Sequence, residues 1–189
     1  MQAAAPPRAP GAPSPRRTLT RMLGFAVVIF ALDQAIKLLV VVYLDLARRG
    51  SLDVLPPFLN LRMAWNRGVN FGLFASEDVL ARWALVALAL AICVGLAVWL
   101  RNATGWRVPL FAGAVIGGAL GNALDRAIYG AVADFLNMSC CGVINPFSFN
   151  VADVAIFAGV AGLLIWPQGP GAAQDPRRPD LSAGKKAPD

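Results

Sequence analysis

The sequence predicts an all-α membrane protein with four transmembrane helices and a small extracytoplasmic β-sheet between helices 1 and 2. Two properties of the whole chain support this fold class. Of its 189 residues, 57% are hydrophobic and only 15% are charged, whereas about a quarter of the residues in a soluble domain are charged. The mean hydropathy is +0.58. A chain of this composition is typical of an integral membrane protein.

Four apolar stretches are the predicted spans, at about residues 22–44, 80–100, 106–130 and 148–166. A helix needs about 20 apolar residues to cross the hydrocarbon core. A basic segment before the first stretch could indicate a signal peptide, but this stretch is too long and no A-x-A-like cleavage site follows it. The first span is therefore predicted to be an uncleaved anchor.

The domain organisation follows from these spans. A membrane domain is predicted at residues 21–166, and its outer loop at 45–79 carries the β-sheet. The two ends, residues 1–20 and 167–189, are rich in Ala and Pro with scattered charges. Such segments bury too little apolar surface to offset the entropy lost on ordering. Both are predicted to be disordered cytoplasmic tails.

The distribution of basic residues predicts the orientation of the spans. Four spans place both tails and the loop after the second span on the same side of the membrane. That side carries ten basic residues, against five in the segment 45–82 and none in the loop before the fourth span. By the positive-inside rule the ten are cytoplasmic. They are Arg8, Arg16, Arg17, Arg21, Arg101, Arg107, Arg177, Arg178, Lys185 and Lys186.

The outer loop contains a predicted strand. In the stretch "FLNLRMAWN", residues 58–66, apolar and polar side chains alternate, which is the pattern of a half-exposed β-strand. Gly68 and Gly72 are the predicted turn points after it. An irregular loop is the alternative interpretation of this segment.

Several classes of function are disfavoured by composition. The chain contains no histidine, which excludes Ser-His-Asp catalysis and zinc sites built on imidazole. No basic stripe with interleaved aromatic residues indicates nucleic-acid binding. We expect no metal and no cofactor. Cys93 is expected to be a small packing residue inside the second span. Cys140 and Cys141 are expected to be free or capped thiols, because a disulfide between adjacent cysteines is strained.

Polar residues within the spans are costly and need partners. Asp33 and Lys37 are four residues apart in the first span, so they share a helical face and can form an ion pair. A direct role in function is the alternative. In the third span Gly113, Gly117 and Gly121 recur every four residues, which predicts close packing on a neighbouring helix.

Asp134 and Asp153 are the candidate catalytic pair. Asp134 follows the outward end of the third span, and Asp153 lies at the start of the inward fourth span. The topology therefore brings both carboxyl groups to the outer membrane interface. Two carboxyl groups in a poorly hydrated pocket share a proton and can activate a water molecule, as in aspartic peptidases. The alternatives are helix capping for Asp153, with Asn150 as the N-cap, and a hydrated interfacial charge for Asp134.

Five motifs, in order along the chain, resemble those of the lipoprotein signal peptidases (signal peptidase II). They are "LDQAIK", "WNRGVNFG", "GGALGNALDR", "GAVADF" and "FNVADVAIFAG", and the resemblance covers roughly residues 25–166. It implies a four-helix membrane aspartic endopeptidase of the bacterial inner membrane with its active site at the periplasmic face. The implied catalytic residues are Asp134 and Asp153. The implied substrate-binding or supporting residues are Asn66, Gly68, Asn122, Arg126, Asn150, Asp33 and Lys37.

The resemblance also implies the reaction and the partners. The enzyme would cleave the signal peptide of diacylglyceryl-modified prolipoproteins on the amino side of the lipidated cysteine, as a monomer among membrane lipids. Arg126 is expected to orient the substrate backbone or the lipid carbonyls; pairing with Asp125 is its alternative role. Two features depart from the family pattern: Asn70 replaces a small residue, and the stretch "MSCCGVINPF", residues 138–147, lacks the expected run with aromatic and histidine residues.

Other classes of function compete with this hypothesis. A small four-span transporter or channel would also place charges in its spans, although it would distribute them across the membrane depth. A Ser-Lys peptidase would need an outer serine near a lysine, yet the only lysine outside the tails is Lys37, inside the first span. A structural tetraspan protein would need no pair of acids.

Overall fold

In the computed structural model of the protein, the described residues are 14–68, 79–103, 105–140 and 145–166. The first helix, α1, spans Pro15–Lys37 and continues as a π-helical segment, Leu38–Tyr43. The Ser14 hydroxyl caps it by accepting from a backbone N–H, and Pro15 occupies the first turn, where its missing N–H is not needed. The helix thus begins before the predicted span, and the prediction of a disordered tail up to residue 20 is wrong for residues 15–20.

Four further helices follow: α2, Leu46–Arg49; α3, Val79–Leu100; α4, Arg107–Tyr129; and α5, Val151–Ile165. Among the described residues, three helical segments are long and apolar enough to cross a membrane, namely Pro15–Tyr43, α3 and α4. The fourth apolar helix, α5, lies in the predicted position but has only 15 residues. At 1.5 Å per residue it is about 22 Å long, shorter than the predicted span.

A three-stranded antiparallel sheet is formed by β1, Ser51–Leu55, β2, Leu59–Asn66, and β3, Val132–Asn137, in the order β1-β2-β3. The strand predicted in the outer loop is confirmed as β2. The sheet does not lie wholly between the first two membrane helices, because β3 comes directly after α4. The prediction therefore missed one strand, and that strand carries Asp134.

Helix α4 lies at the centre of the bundle and packs against α1, α3 and α5. Its glycines make these approaches close. A Cβ added at Gly113 or Gly117 would meet backbone carbonyls of α1, one added at Gly118 a carbonyl of α5, and one added at Gly121 the Asp33 carboxylate. The close helix packing predicted from the four-residue glycine repeat is confirmed.

The exterior of the bundle is apolar, and its interior combines an apolar core, which includes Met22, Ala112 and Ile116, with a cluster of buried polar side chains. Leu88 and Val94 of α3 are 55% and 64% exposed, whereas Asp33, Asp134 and Asp153 are at most 4% exposed. In a membrane protein the outer apolar surface faces lipid, and ionisable groups face the inside of the bundle. The buried polar side chains extend to β3 of the sheet, where the candidate site lies.

Candidate active site

Asp134 and Asp153 reach the site from two different elements. Asp134 lies in β3, and Asp153 is the third residue of α5. The N-cap of α5 is Asn150, whose side-chain oxygen accepts from the backbone N–H of Asp153 at 2.9 Å. In return, Asp153 Oδ2 accepts from the Asn150 backbone N–H at 3.2 Å. The capping role weighed for Asp153 is therefore present, and it holds the carboxylate at the helix N-terminus.

Asn150 contacts both acids. Its side-chain amide donates to Asp134 Oδ1 at 2.6 Å, while its backbone N–H donates to Asp153 Oδ2. The two carboxyl groups thus flank one asparagine, inside the bundle and beside the sheet. The two acids meet at Asn150, as the order of the spans predicts, while their catalytic role and their location at the outer membrane interface stay predictions.

Two more asparagines complete the support of the pair. Asn66 of β2 donates to Asp134 Oδ2 at 3.1 Å, and Asn122 of α4 donates to Asp153 Oδ1 at 2.9 Å. Within the described ranges, each of the four carboxylate oxygens therefore accepts one N–H donor. Because a carboxylate oxygen has two lone pairs, each also keeps a site for water or substrate.

The environment of Asp134 favours its protonated form. Burial raises the pKa of Asp134 to about 7, and the charge of Asp153 acts in the same direction; the donors Asn66 and Asn150 and the charge of Lys37 oppose the rise. A carboxyl group with this pKa holds its proton about half of the time at neutral pH. Proton sharing within a pair of close acids follows from the same physics.

Arg126 lies beside the pair. Within the described residues it forms no hydrogen bond with either carboxylate. Its guanidinium donates to the Gly68 carbonyl, and also to the Asn122 carbonyl at 3.3 Å. Its buried Nε has no hydrogen-bond partner. The alternative of an Arg126–Asp125 ion pair is wrong, because the cation bound to Asp125 is Lys37.

Asn66 and Gly68 form one turn at the edge of the site. The Gly68 backbone N–H donates to Asn66 Oδ1 at 3.1 Å, so Asn66 joins this turn to Asp134. The chain segment after Gly68, which includes Asn70 and Gly72, lies outside the described residues. Asn66, Gly68 and Arg126 therefore connect the outer loop with α4.

Asp33 and Lys37 lie behind the pair. Lys37 Nζ is 2.8 Å from Asp33 Oδ2, 2.8 Å from Asp125 Oδ2 and 3.1 Å from Asn122 Oδ1. The ion pair predicted from the four-residue spacing is present. Sequence analysis missed Asp125 as a member of this cluster, since its partner comes from another helix. The described ranges contain no cluster of three or more Cys, Asp or Glu side chains that is arranged to hold a metal ion.

The residues just before α5, 145–149, fold back on the end of β3. The Asn137 amide donates to the Asn145 and Phe147 carbonyls at 2.9 and 2.8 Å, and Phe149 pairs with Leu136.

Cys140, between β3 and α5, is disulfide-bonded, so the expectation of a free or capped thiol there is wrong. Cys93 is a buried free thiol. Cys141 lies outside the described residues.

The family model and the relatives found by sequence agree on one family. A family model described as signal peptidase (SPase) II matches residues 25–167. A lipoprotein signal peptidase of Methylorubrum extorquens (strain PA1) is 48% identical over 135 residues, which are 71% of this chain and 78% of the relative. A lipoprotein signal peptidase of Methylobacterium radiotolerans is 44% identical over 162 residues, which are 86% of this chain and 92% of the relative. A solved bacterial membrane enzyme superimposes with a TM-score of 0.64 at 25% identity, covering 77% of this chain and 86% of its own.

Proposed function

Because the chain belongs to the signal peptidase II family, we propose that it is an aspartic endopeptidase of diacylglyceryl-modified prolipoproteins. It would cleave them on the amino side of the lipidated cysteine. The coarser function, removal of lipoprotein signal peptides by a multi-pass bacterial membrane protein, is that of the family. The family relation gives no support to the alternative of a small transporter or channel.

The observation that carries the aspartic mechanism is the arrangement around Asp134 and Asp153. Two buried carboxyl groups, one on a strand and one at a helix start, are held by the same asparagine. Asn66 and Asn122 orient the remaining oxygens. This geometry fits a pair of acids that binds one water molecule between them.

The first chemical step is attack by that water on the scissile carbonyl. Asp134 carries the shared proton, consistent with its raised pKa, and ionised Asp153 is the base. Asp153 takes a proton from the water as its oxygen bonds to the carbonyl carbon. Asp134 gives its proton to the carbonyl oxygen, and the product is a neutral gem-diol.

The second step breaks the peptide bond. Protonated Asp153 donates to the leaving nitrogen, and Asp134 takes a proton back from one hydroxyl of the gem-diol as the C–N bond breaks. The products are the carboxyl group of the signal peptide and the free amine of the lipidated cysteine. One proton remains on the pair, so the starting state is restored.

The other residues bind or orient. Arg126 is half-buried beside the pair, and we assign its guanidinium to a carbonyl of the substrate backbone or of its acyl esters. Asn66 and Gly68 position the turn at the site entrance. The diacylglyceryl chains would lie against the apolar outer surface of the helices, at the depth where the bilayer already accommodates acyl chains.

We also propose the orientation of the enzyme in the membrane. Ten basic residues in the tails and the short loop favour a cytoplasmic location for both termini of a four-span inner-membrane protein. Asp134 and Asp153 would then face the periplasmic side, where the lipidated precursor presents its cleavage site. We propose that the protein works as a monomer and needs no cofactor.

Replacement of either acid tests the mechanism. The variants Asp134→Asn and Asp153→Asn should lower the rate of cleavage of a lipidated precursor by at least about 100-fold, because each removes one proton-transfer group. Their unfolding temperature in detergent should remain close to that of the parent. Asp53→Asn is the matched control, since Asp53 is an exposed aspartate of β1. Substantial cleavage by either active-site variant would exclude this mechanism.

A further inference from the structure

A buried carboxylate holds the chain directly before each of the two proposed catalytic aspartates. Asp125 Oδ2 accepts from the backbone N–H of Ala133 at 3.2 Å, and Asp33 Oδ1 accepts from that of Ala152 at 2.9 Å. Ala133 precedes Asp134 and Ala152 precedes Asp153. The two catalytic segments are therefore fixed in the same way, although one is a strand and the other a helix N-terminus.

One cation joins these two carboxylates. Lys37 Nζ lies 2.8 Å from Asp33 Oδ2 and 2.8 Å from Asp125 Oδ2. Its third contact is Asn122 Oδ1 at 3.1 Å, and Asn122 in turn donates to Asp153. An ammonium group has three N–H donors, so the three contacts use all of them.

The burial of this group makes its geometry rigid. Lys37 is 5% exposed, and Asp33 and Asp125 are at most 1% exposed. Away from water, a charge that loses its partner costs several kcal/mol, so no member of the cluster can move independently. Contacts through Lys37 therefore relate α1, α4, β3 and α5 to one another.

We propose that Lys37, acting through Asp33 and Asp125, is a positioning residue that sets the distance between the Asp134 and Asp153 carboxyl groups. The inference depends on the proposed function, since it assigns a role within that reaction. Lys37 does not contact the reacting atoms. Its effect is transmitted through backbone amides, one residue before each acid.

A purely structural role makes different predictions from a positioning role. If Lys37 only stabilised the fold, its replacement would lower the unfolding temperature without a specific effect on turnover. A positioning role lowers kcat and leaves KM nearly unchanged, because substrate binding does not use this cluster. The charge of Lys37 also acts on the pair, together with Arg126 of α4.

The first test is a double-mutant cycle on cleavage of a lipidated precursor. Asp125→Asn and Lys37→Met should each lower kcat about tenfold or more, with KM within about twofold of the parent. The double variant should be about as slow as the slower single variant, because both changes interrupt the same connection. Arg48→Gln, which breaks an exposed ion pair with Asp45, is the control and should leave kcat unchanged.

The second test is the pH profile of kcat. Burial and the charge of Asp153 raise the pKa of Asp134, and Lys37 partly opposes them. Removing that positive charge in Lys37→Met should move the alkaline fall in rate to higher pH, whereas loss of fold stability alone would leave the position of this limb unchanged. If Lys37→Met does not fold, the kcat and KM values of Asp125→Asn decide the question.

Any of three results would overturn the positioning role. The effects of the two substitutions on kcat could multiply in the double variant, Lys37→Met could leave the alkaline limb of the pH profile unshifted, or the substitutions could change KM alone. These results are distinguishable from failure of the proposed function. That failure would appear as a parent enzyme that does not cleave, or as an Asp134→Asn variant that still does. A fully active Asp125→Asn variant of a cleaving parent would contradict only the positioning role.

Discussion

At the scale of single residues, the side chains that donate to the two acids from the described part of the chain are neutral amides rather than cations. Asn66, Asn122 and Asn150 supply the side-chain donors. A cation in direct contact with a carboxylate would lower its pKa by about 1–3 units and remove the shared proton. Amide donors fix the orientation of the carboxyl groups with a weaker effect on their ionisation. Lys37 and Arg126 contact the supporting groups instead.

Asn150 combines two functions that one pair of variants can separate. Its oxygen caps α5, and its amide nitrogen donates to Asp134. Asn150→Ser keeps a capping oxygen but removes the amide donor, so we expect near-parent helix capping and a loss in kcat of about tenfold or more. Asn150→Ala removes both and should lose about 1 kcal/mol more stability. The measurements are precursor cleavage and thermal unfolding. Parent-like turnover by Asn150→Ser would contradict the assignment of its amide.

Some residue roles can be predicted from sequence and others cannot. The meeting of Asp134 and Asp153 follows from the order of the spans, and the Asp33–Lys37 pair follows from helical spacing. The contacts of Asp125 with Lys37 and with the Ala133 amide are different. They depend on how α1, α4 and β3 pack, and no local pattern in the sequence encodes that packing.

At the scale of elements, β2 was predictable and β3 was not. The alternation in residues 58–66 continues long enough to indicate a strand. The strand β3 has six residues, begins two residues after the C-cap Gly130 of α4, and is buried along most of its length. It therefore lacks a clear alternation of polar and apolar residues. Its pairing partner is distant in the sequence, since Val132 lies opposite Asn66.

The packing of α4 against α5 can be tested at one glycine. A Cβ at Gly118 would lie 2.5 Å from the carbonyl of Ala152, the residue before Asp153. Gly118→Ala should force α5 away from α4, cost about 1–3 kcal/mol, and lower precursor cleavage through displacement of Asp153.

Gly95→Ala is the matched control for this prediction. Gly95 lies in α3, and an added Cβ there meets nothing within 4 Å. Alanine should keep or slightly raise helix stability there, by up to about 1 kcal/mol, with unchanged cleavage. Equal effects of the two substitutions on unfolding and on cleavage would contradict the close α4–α5 contact.

At the scale of the whole molecule, an apolar exterior encloses an apolar core and a cluster of buried polar side chains next to the sheet. The helices of sufficient length are Pro15–Tyr43, Val79–Leu100 and Arg107–Tyr129, while α5 is shorter. Composition and hydropathy predict this overall organisation well, because each span must satisfy the bilayer separately. They do not predict the length of α5, whose start is set by the Asn150–Asp153 capping box.

The orientation in the membrane can be measured with reporter fusions. With both termini cytoplasmic, a green fluorescent protein at either end should fluoresce, and alkaline phosphatase at either end should be inactive. Phosphatase inserted after Asp53, in the outer loop, should be active. The physical reason is the excess of Lys and Arg in the tails. Active phosphatase at the termini would place Asp134 and Asp153 on the cytoplasmic side and contradict the proposed orientation.

The pH dependence of kcat/KM for cleavage of a lipidated precursor tests the shared proton most directly. Burial raises the pKa of Asp134 to about 7, so its proton is retained below this pH and lost above it. The rate should therefore fall as the pH rises through about 7, and fall again in acid when both carboxyl groups are protonated, with apparent pKa values that belong to the pair. A rate that stays constant or keeps rising above neutral pH would contradict a catalytic pair that holds one proton.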